Sequence, residues 1–503
     1  MGLRNIFTDV PSSQSTVVTT KRPISQYHAS HSHQSGQLRH WRATRAMEIH
    51  FPHSLGLLYS AFTYYAGYGI VVAKKNMASM AWLSKWSAKH TLGSLTVLVL
   101  TIAVLEFSLS VASSTSKTVR VLLSPGLVDP SLPDPVLGLR LNPDVPDHDE
   151  AGFRNASALK SADLVALGDS QTYGIGVARE QAWPQQLSAL SGQSTYNMGV
   201  PGYGPVHELV LMRRATTLRP HWVIEAFYSG NDLYDAYNMV YTRHQVSDLR
   251  STDQAILSAI EKAETESSLD QTIDRLFQVY IGAFDFDNHQ RSATGMRQYL
   301  SEHSKLWGLL RATRRVVTKN SNGALPADST WSQQVSRAQR SNGLWELFER
   351  GSVRTVLVPE YRLSALKMED PRIHEGLRTS IEALTRMASI AQDTDARFTI
   401  VLIPTKELVF YDTFGGGGNG ALLAVAQLAQ EEQKMWNELK KELHLRGISY
   451  IDTLPALRES LSAGESPYPI GADGHPTAQG HKVIAATVWS AIAATEQRSQ
   501  HTP

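Results

Sequence analysis

The sequence predicts an α/β protein: a three-layer α/β/α domain on a parallel sheet, preceded by one N-terminal transmembrane helix. Three observations predict it. Short apolar runs alternate with helix-like stretches through the C-terminal part of the 503-residue chain. Four polar motifs sit just beyond such runs or at a loop–helix junction. A long apolar stretch, residues 92–112, precedes all of them.

Residues 163–167, Asp-Leu-Val-Ala-Leu, are short and apolar, as a buried strand is. Similar runs at 194–196, 222–228, 397–403 and 449–451 complete the strand set. Helical stretches lie between and after them, at 183–190, 207–218, 376–392, 421–445 and 478–494. Alternating β and α units imply parallel strands with helices on both faces. Ligands of such sheets bind beyond the carboxyl ends of the strands.

The first motif, Gly168-Asp169-Ser170, breaks the 163–167 strand and opens a helix, which exposes a serine beside backbone N–H groups. Alone it reads first as a helix N-cap. The second, Asn197-Met-Gly199-Val-Pro-Gly202-Tyr-Gly204, holds glycines that let backbone amides approach a ligand, or is a flexible loop. The third, Ser229-Gly230-Asn231-Asp232, ends a strand with a side-chain amide able to donate to an oxyanion, or forms an Asx-turn. The fourth, Asp473-Gly474-His475-Pro476, places a histidine with an acid two residues away before a helix. His481, on that helix, reads as a partly exposed surface histidine. Together the motifs supply a nucleophile, oxyanion donors, a base and an orienting acid, the parts that acyl transfer through serine needs.

With these residues in this order, the chain resembles the SGNH (GDSL-type) hydrolase superfamily, with its flavodoxin-like fold. The resemblance runs from about Asp134 to Ala494 with a gap in the middle. It implies Ser170 as nucleophile, Gly202 and Asn231 as oxyanion donors beside the Ser170 amide, and His475 as base. Asp134-Pro-Val-Leu-Gly-Leu-Arg140, Gly152-Phe-Arg-Asn155 and Ile403-Pro-Thr-Lys-Glu407 are similar to membrane-anchored bacterial members. Many members carry Asp three residues before the catalytic His; here Asp473 is two before, a spacing similar to the alginate-acetylation branch. Asp473 is therefore the orienting acid this resemblance implies with a departure from its pattern. Thr405-Lys406-Glu407 follows a strand and can line the same edge, although Lys406 reads first as a surface cation or ion-pair partner.

Composition narrows the classes. Lys plus Arg total 48 against 47 for Asp plus Glu, so nothing argues for nucleic acid. The absence of cysteine excludes a disulfide frame, a Cys metal site and a Cys nucleophile. Residues 1–45 are polar and lack apolar periodicity, which predicts disorder; His28, His31 and His33 there have no fold to hold a metal. Within 46–91, the stretch from Met47 to about Gly69 resembles a piece of the carbamoyltransferases that act on antibiotics and nodulation factors, and reads as a remnant rather than a working domain.

Residues 92–112 are long enough to span a bilayer, with Glu106 as the lone charge. Lys74, Lys75, Lys85 and Lys89 precede the span, while Lys117 and Arg120 follow it, which predicts a cytoplasmic N-terminus. A Pro- and Asp-rich connector, 113–155, then leads to a hydrolase domain at 156–498, interrupted at about 235–353 by a mostly helical insertion or cap.

The expectation is a single-pass protein of the cell inner membrane with an extracytoplasmic serine esterase domain. The resemblance implies an O-acyl, above all O-acetyl, ester on a glycan as substrate and requires no metal or organic cofactor. An O-acyltransferase with the same residues and a non-catalytic glycan-assembly subunit are the alternatives; intact Ser170, Asn231 and His475 argue against the latter.

Overall fold

The computed structural model describes residues 88–117, 119, 123, 129–282, 304–309, 330–341, 343–413 and 423–500. The polar stretch 1–45 and the carbamoyltransferase-like piece lie outside the described residues.

The strands are β1 (Ser131–Asp134), β2 (Gly138–Leu141), β3 (Leu164–Gly168), β4 (Thr195–Asn197), β5 (Trp222–Tyr228), β6 (Glu346–Arg350), β7 (Val353–Leu357), β8 (Arg397–Ile403) and β9 (Tyr450–Asp452). Five form the central sheet in the order β4-β3-β5-β8-β9, every pair parallel. These are the five expected strands, displaced by one residue at most. β1–β2 and β6–β7 are separate antiparallel hairpins. The first lies in the Pro- and Asp-rich connector and feeds Leu137, Leu139 and Leu141 into the core. The second closes the stretch expected to be mostly helical.

Successive residues of a strand face opposite sides of its sheet. Here that alternation feeds two cores. Val165, Leu167, Val223, Phe227, Ile400 and Leu402 enter one. Leu164, Ala166, Ile224, Ala226, Val401 and Ile403 enter the other. On the first face, helix Pro371–Asp393 packs against helices Pro205–Thr217 and Asp232–Tyr237. On the second, helix Ala478–Gln500 packs against helices Trp183–Ser191 and Leu454–Ser462. The result is a three-layer α/β/α domain.

The apolar stretch is one continuous helix, Ala88–Thr115. Its Gly93–Thr115 part has a mean hydropathy of 2.2 and is long enough to cross a membrane. At about 1.5 Å rise per residue its length matches the roughly 30 Å hydrocarbon core of a bilayer. Leu98, Val104 and Phe107 are exposed along it. Glu106, an acid within this apolar helix, is satisfied by the insertion: its carboxylate accepts from Ser304 Oγ at 3.1 Å, from Leu306 N–H at 2.9 Å and from Lys305 N–H. Just past the helix, Lys117 Nζ donates to the His148 carbonyl at 2.5 Å, tying the helix end to the domain.

Candidate active site

The Ser170 turn depends on glycine first. β3 ends at Gly168, whose φ is +147°, and a Cβ there would lie 2.2 Å from Thr172 Oγ1. Ser170 opens a one-turn helix, Ser170–Tyr173, which Asp169 caps by accepting the Gln171 N–H at 2.8 Å. So short a helix leaves its carbonyls without intrahelical partners. The buried Arg154 guanidinium serves the last of them and the turn beyond, donating to Tyr173 O at 3.0 Å, Gly174 O at 2.5 Å and Val177 O at 2.9 Å. Asp147, at 2.7 Å, balances its charge. Next along the chain, Asn155 exchanges two hydrogen bonds with the Asn197 backbone, both at 2.9 Å, and the Asn197 side chain donates to Thr172 O at 2.9 Å. The Gly152–Asn155 segment thus fixes the serine turn and the start of the Gly202 loop together.

Ser170 and His475 lie 305 positions apart, yet Ser170 Oγ is 2.9 Å from His475 Nε2. His475 Nδ1 is 2.7 Å from Asp473 Oδ1, and that oxygen also accepts the His475 backbone N–H at 3.1 Å. A carboxylate can only accept, so Nδ1 carries the hydrogen and Nε2 faces the serine hydroxyl with its lone pair. The two-residue spacing therefore forms the Asp–His pair without an intervening water. Ser170 and His475 are 7% and 8% exposed, sheltered but reachable.

Gly202 lies in the loop after β4. Tyr203 N–H donates to Val200 O at 3.1 Å, and Gly202 has φ +81° behind Pro201. Proline followed by a glycine of positive φ is the signature of a type II turn. Asn231, half-buried after β5, donates from Nδ2 to Asp235 Oδ2 at 2.6 Å. The sequence reading passed over Asp235; its place four residues after Asn231 at a helix start was the available signal.

Two expectations are corrected. His481 is fully buried rather than on the surface, because the first turn of helix Ala478–Gln500 packs on helix Trp183–Ser191; its Nδ1 accepts the Trp183 N–H at 3.3 Å. Burial pushes its pKa down to about 3, so it is neutral. Lys406 is not a surface cation: it is wholly buried, and its ammonium faces backbone carbonyls. Among the described residues, no group of three or more His, Asp or Glu side chains is arranged to hold a metal ion.

Asp169 is 3.2 Å from Ser170 Oγ and belongs to a set of buried acids with Glu208, Glu225, Asp232 and Asp235. Burial raises all five, and it raises Glu208, Glu225, Asp232 and Asp235 well above the ordinary carboxylate value. Glu225 interrupts the apolar β5 at a position that faces helix Pro205–Thr217, where Glu208 meets it. Burial and then the Glu225 charge push the Glu208 pKa well up, which favours a proton on this acid pair.

No family model matches the chain. An uncharacterized protein of Synechocystis sp. is 51% identical over 51 residues, which are 10% of this chain; the chain spans 7% of that protein's length. Solved structures with some likeness include a lipolytic protein of the G-D-S-L family from Desulfitobacterium hafniense, at 10% identity and a TM-score of 0.26, covering 65% of this chain and 97% of that one. A GDSL-like lipase from Bacteroides thetaiotaomicron has 9% identity and a TM-score of 0.27, covering 66% and 88% of the two chains. An acylhydrolase from Bacteroides fragilis has 11% identity and a TM-score of 0.27, covering 70% and 91%. These comparisons do not support the carbamoyltransferase-like reading of the stretch from Met47 to about Gly69.

The acid pair gives a stability test. An acid whose folded pKa is raised contributes stability that is complete below its unfolded value, 4.5 for Glu, and is lost as pH rises through the folded value. Glu208→Gln keeps an N–H donor toward Glu225 but removes one titrating group. Its melting temperature should therefore fall less steeply than that of the wild type as pH rises above 4.5. Parallel curves would mean that Glu208 holds no proton in the folded state.

Proposed function

We propose that this protein is a membrane-anchored serine esterase. The observation that carries the reading is the unbroken hydrogen-bond chain from Ser170 Oγ to His475 Nε2, at 2.9 Å, and from Nδ1 to Asp473, at 2.7 Å. His475 takes the Ser170 proton as Oγ attacks an ester carbonyl. The tetrahedral oxyanion receives the N–H groups of Ser170 and Gly202 and one amide hydrogen of Asn231. Asp235 accepts the other Asn231 hydrogen and so fixes the amide. His475 then protonates the departing alkoxide and leaves an acyl-serine. Water, deprotonated by His475, attacks that ester and releases the acid and free Ser170. The Asp473 carboxylate holds the imidazole in one tautomer and balances its transient charge.

The substrate we infer is an O-acyl ester, and specifically an O-acetyl group on an extracytoplasmic glycan. The apolar helix supports it, since its flanking charge leaves the C-terminal domain outside the cytoplasm. So does the Asp473–His475 spacing, which resembles polysaccharide O-acetyl enzymes. A sugar hydroxyl in place of water would make the same residues an acyltransferase.

Hydrolysis of a short-chain aryl acetate by the detergent-solubilised protein tests the chemistry. Ser170→Ala and His475→Ala should each lose several powers of ten in kcat, and Asp473→Asn should approach them, because such residues act as a unit. Wild-type turnover in Ser170→Ala would remove the nucleophile.

Asn231→Ala should lower kcat by roughly 10²–10³ with little change in KM, as loss of one oxyanion donor does. A change in KM alone would make Asn231 a ground-state binding group.

Topology is checked with reporters fused after Pro503. One that works only when exported should be active, and one that works only in the cytoplasm silent. The reverse pattern would remove the extracytoplasmic glycan substrate and leave the serine chemistry intact.

A further inference from the structure

Lys406 follows β8 and is 0% exposed. Its three ammonium hydrogens meet three backbone carbonyls: Pro469 O at 2.9 Å, Gly471 O at 2.6 Å and Asp473 O at 3.3 Å. All three belong to the loop that delivers Asp473 and His475. A buried ammonium is costly unless paired and hydrogen-bonded. Here it is fully hydrogen-bonded, yet its partners are neutral carbonyls, while the nearby charges are Glu407 and Asp473.

Strand β7 holds the start of the same loop. Thr355 Oγ1 donates to Pro469 O at 3.0 Å, and Val356 N–H donates to Ile470 O at 3.0 Å. Both come from β7. Beyond Ile470, Lys406 reaches Gly471 and Asp473. The loop is therefore anchored from β7 at its start, and the ammonium reaches on to its Asp473 end.

The root of Lys406 is itself fixed. Thr405 donates from its backbone N–H to Glu432 Oε1 at 2.8 Å and from its hydroxyl to Glu432 Oε2. Ser229, just before Gly230 and Asn231, donates to the same Glu432 Oε1 at 2.6 Å. The ends of β5 and β8 are thereby joined to the His475 loop. Burial pulls the Lys406 pKa down to about 8, which leaves it protonated at neutral pH.

The geometry points to Lys406 as a positioning residue: its ammonium sets the Asp473–His475 segment against Ser170. This rests on the serine-esterase reading above and adds to it a group that touches no reacting atom. A misplacement of about 1 Å can cost on the order of 10² in rate, so the effect belongs in kcat rather than in substrate binding.

The test uses the full-length protein in detergent with 4-nitrophenyl acetate as probe. Lys406→Met keeps the length of the stem and removes the charge and its donors. It should lower kcat by about 10²-fold, with KM within about twofold of the wild type. Because the chain has no cysteine, Lys406→Cys introduces a single thiol, which is alkylated in the denatured chain before refolding since the position is buried. Bromoethylamine restores an ammonium at nearly the lysine length; bromoethanol fills the same space without charge. The aminoethylated protein should recover most of the lost kcat, and the hydroxyethylated protein should not. Equal recovery by both would overturn the proposal, since space-filling alone would then suffice; so would a Lys406→Met protein with wild-type kcat. Should Lys406→Met fail to fold, the two alkylated forms decide between these outcomes. Failure of the underlying reading appears separately, as wild-type turnover that Ser170→Ala leaves unchanged.

Discussion

Everything at the site hangs on the parallel pairing of β3, β5 and β8. Gly168 pairs with Ala226, and Tyr228 pairs with Ile403, so the three strands end at one edge in a fixed stagger. Ser170, Asn231 and Lys406 follow within three residues of those ends. A slip of one residue would exchange the two faces of a strand. β5 cannot tolerate that exchange, because all seven of its residues are buried between the two cores. Hydrophobic burial on both faces thus fixes the register, and the register fixes where the polar loops begin.

The sheet alone does not make those loops rigid, since backbone leaving a strand end loses its ladder partners. Buried polar side chains replace them. Arg154 serves the carbonyls after Ser170, Asn155 and Asn197 tie the second loop to the first, and Glu432 joins Ser229 to Thr405. In a low-dielectric interior each such bond is strong when made and costly when missing. Buried networks of this kind specify one geometry, whereas apolar packing would allow the loops several.

The central sheet was legible in the sequence because its signals are local. Short apolar runs mark the five strands, and Gly168, Gly202 and Gly230 mark the breaks after three of them. The Asp473–His475 pair was legible for the same reason, since two residues of separation let one carboxylate reach both the ring and its own backbone N–H. Burial is a tertiary property and was not legible. Lys406 and His481 look like surface residues until the loop 469–473 and helix Trp183–Ser191 pack over them. Glu225 was a partial signal: a charge inside an otherwise apolar strand needs a partner, but nothing local names Glu208. The hairpins escaped for another reason. Ser131–Asp134 contains proline and Glu346–Arg350 is largely charged, so neither carries a clean strand period.

The buried acids bear on the serine hydroxyl itself. Its single hydrogen has two acceptors within reach, His475 Nε2 at 2.9 Å and Asp169 Oδ2 at 3.2 Å. Only donation to His475 prepares the proposed proton transfer. An ionised Asp169 competes strongly for that hydrogen, and a protonated one competes less. Burial raises the pKa of Asp169, while the Gln171 N–H and the neighbouring His475 oppose the rise. Glu225 and Asp232 feel the Asp169 charge in turn, so a negative charge on any of them disfavours one on the others. The acid cluster therefore weakens the competitor for the Ser170 hydrogen, and the shorter of the two contacts is the one that the proposed chemistry uses.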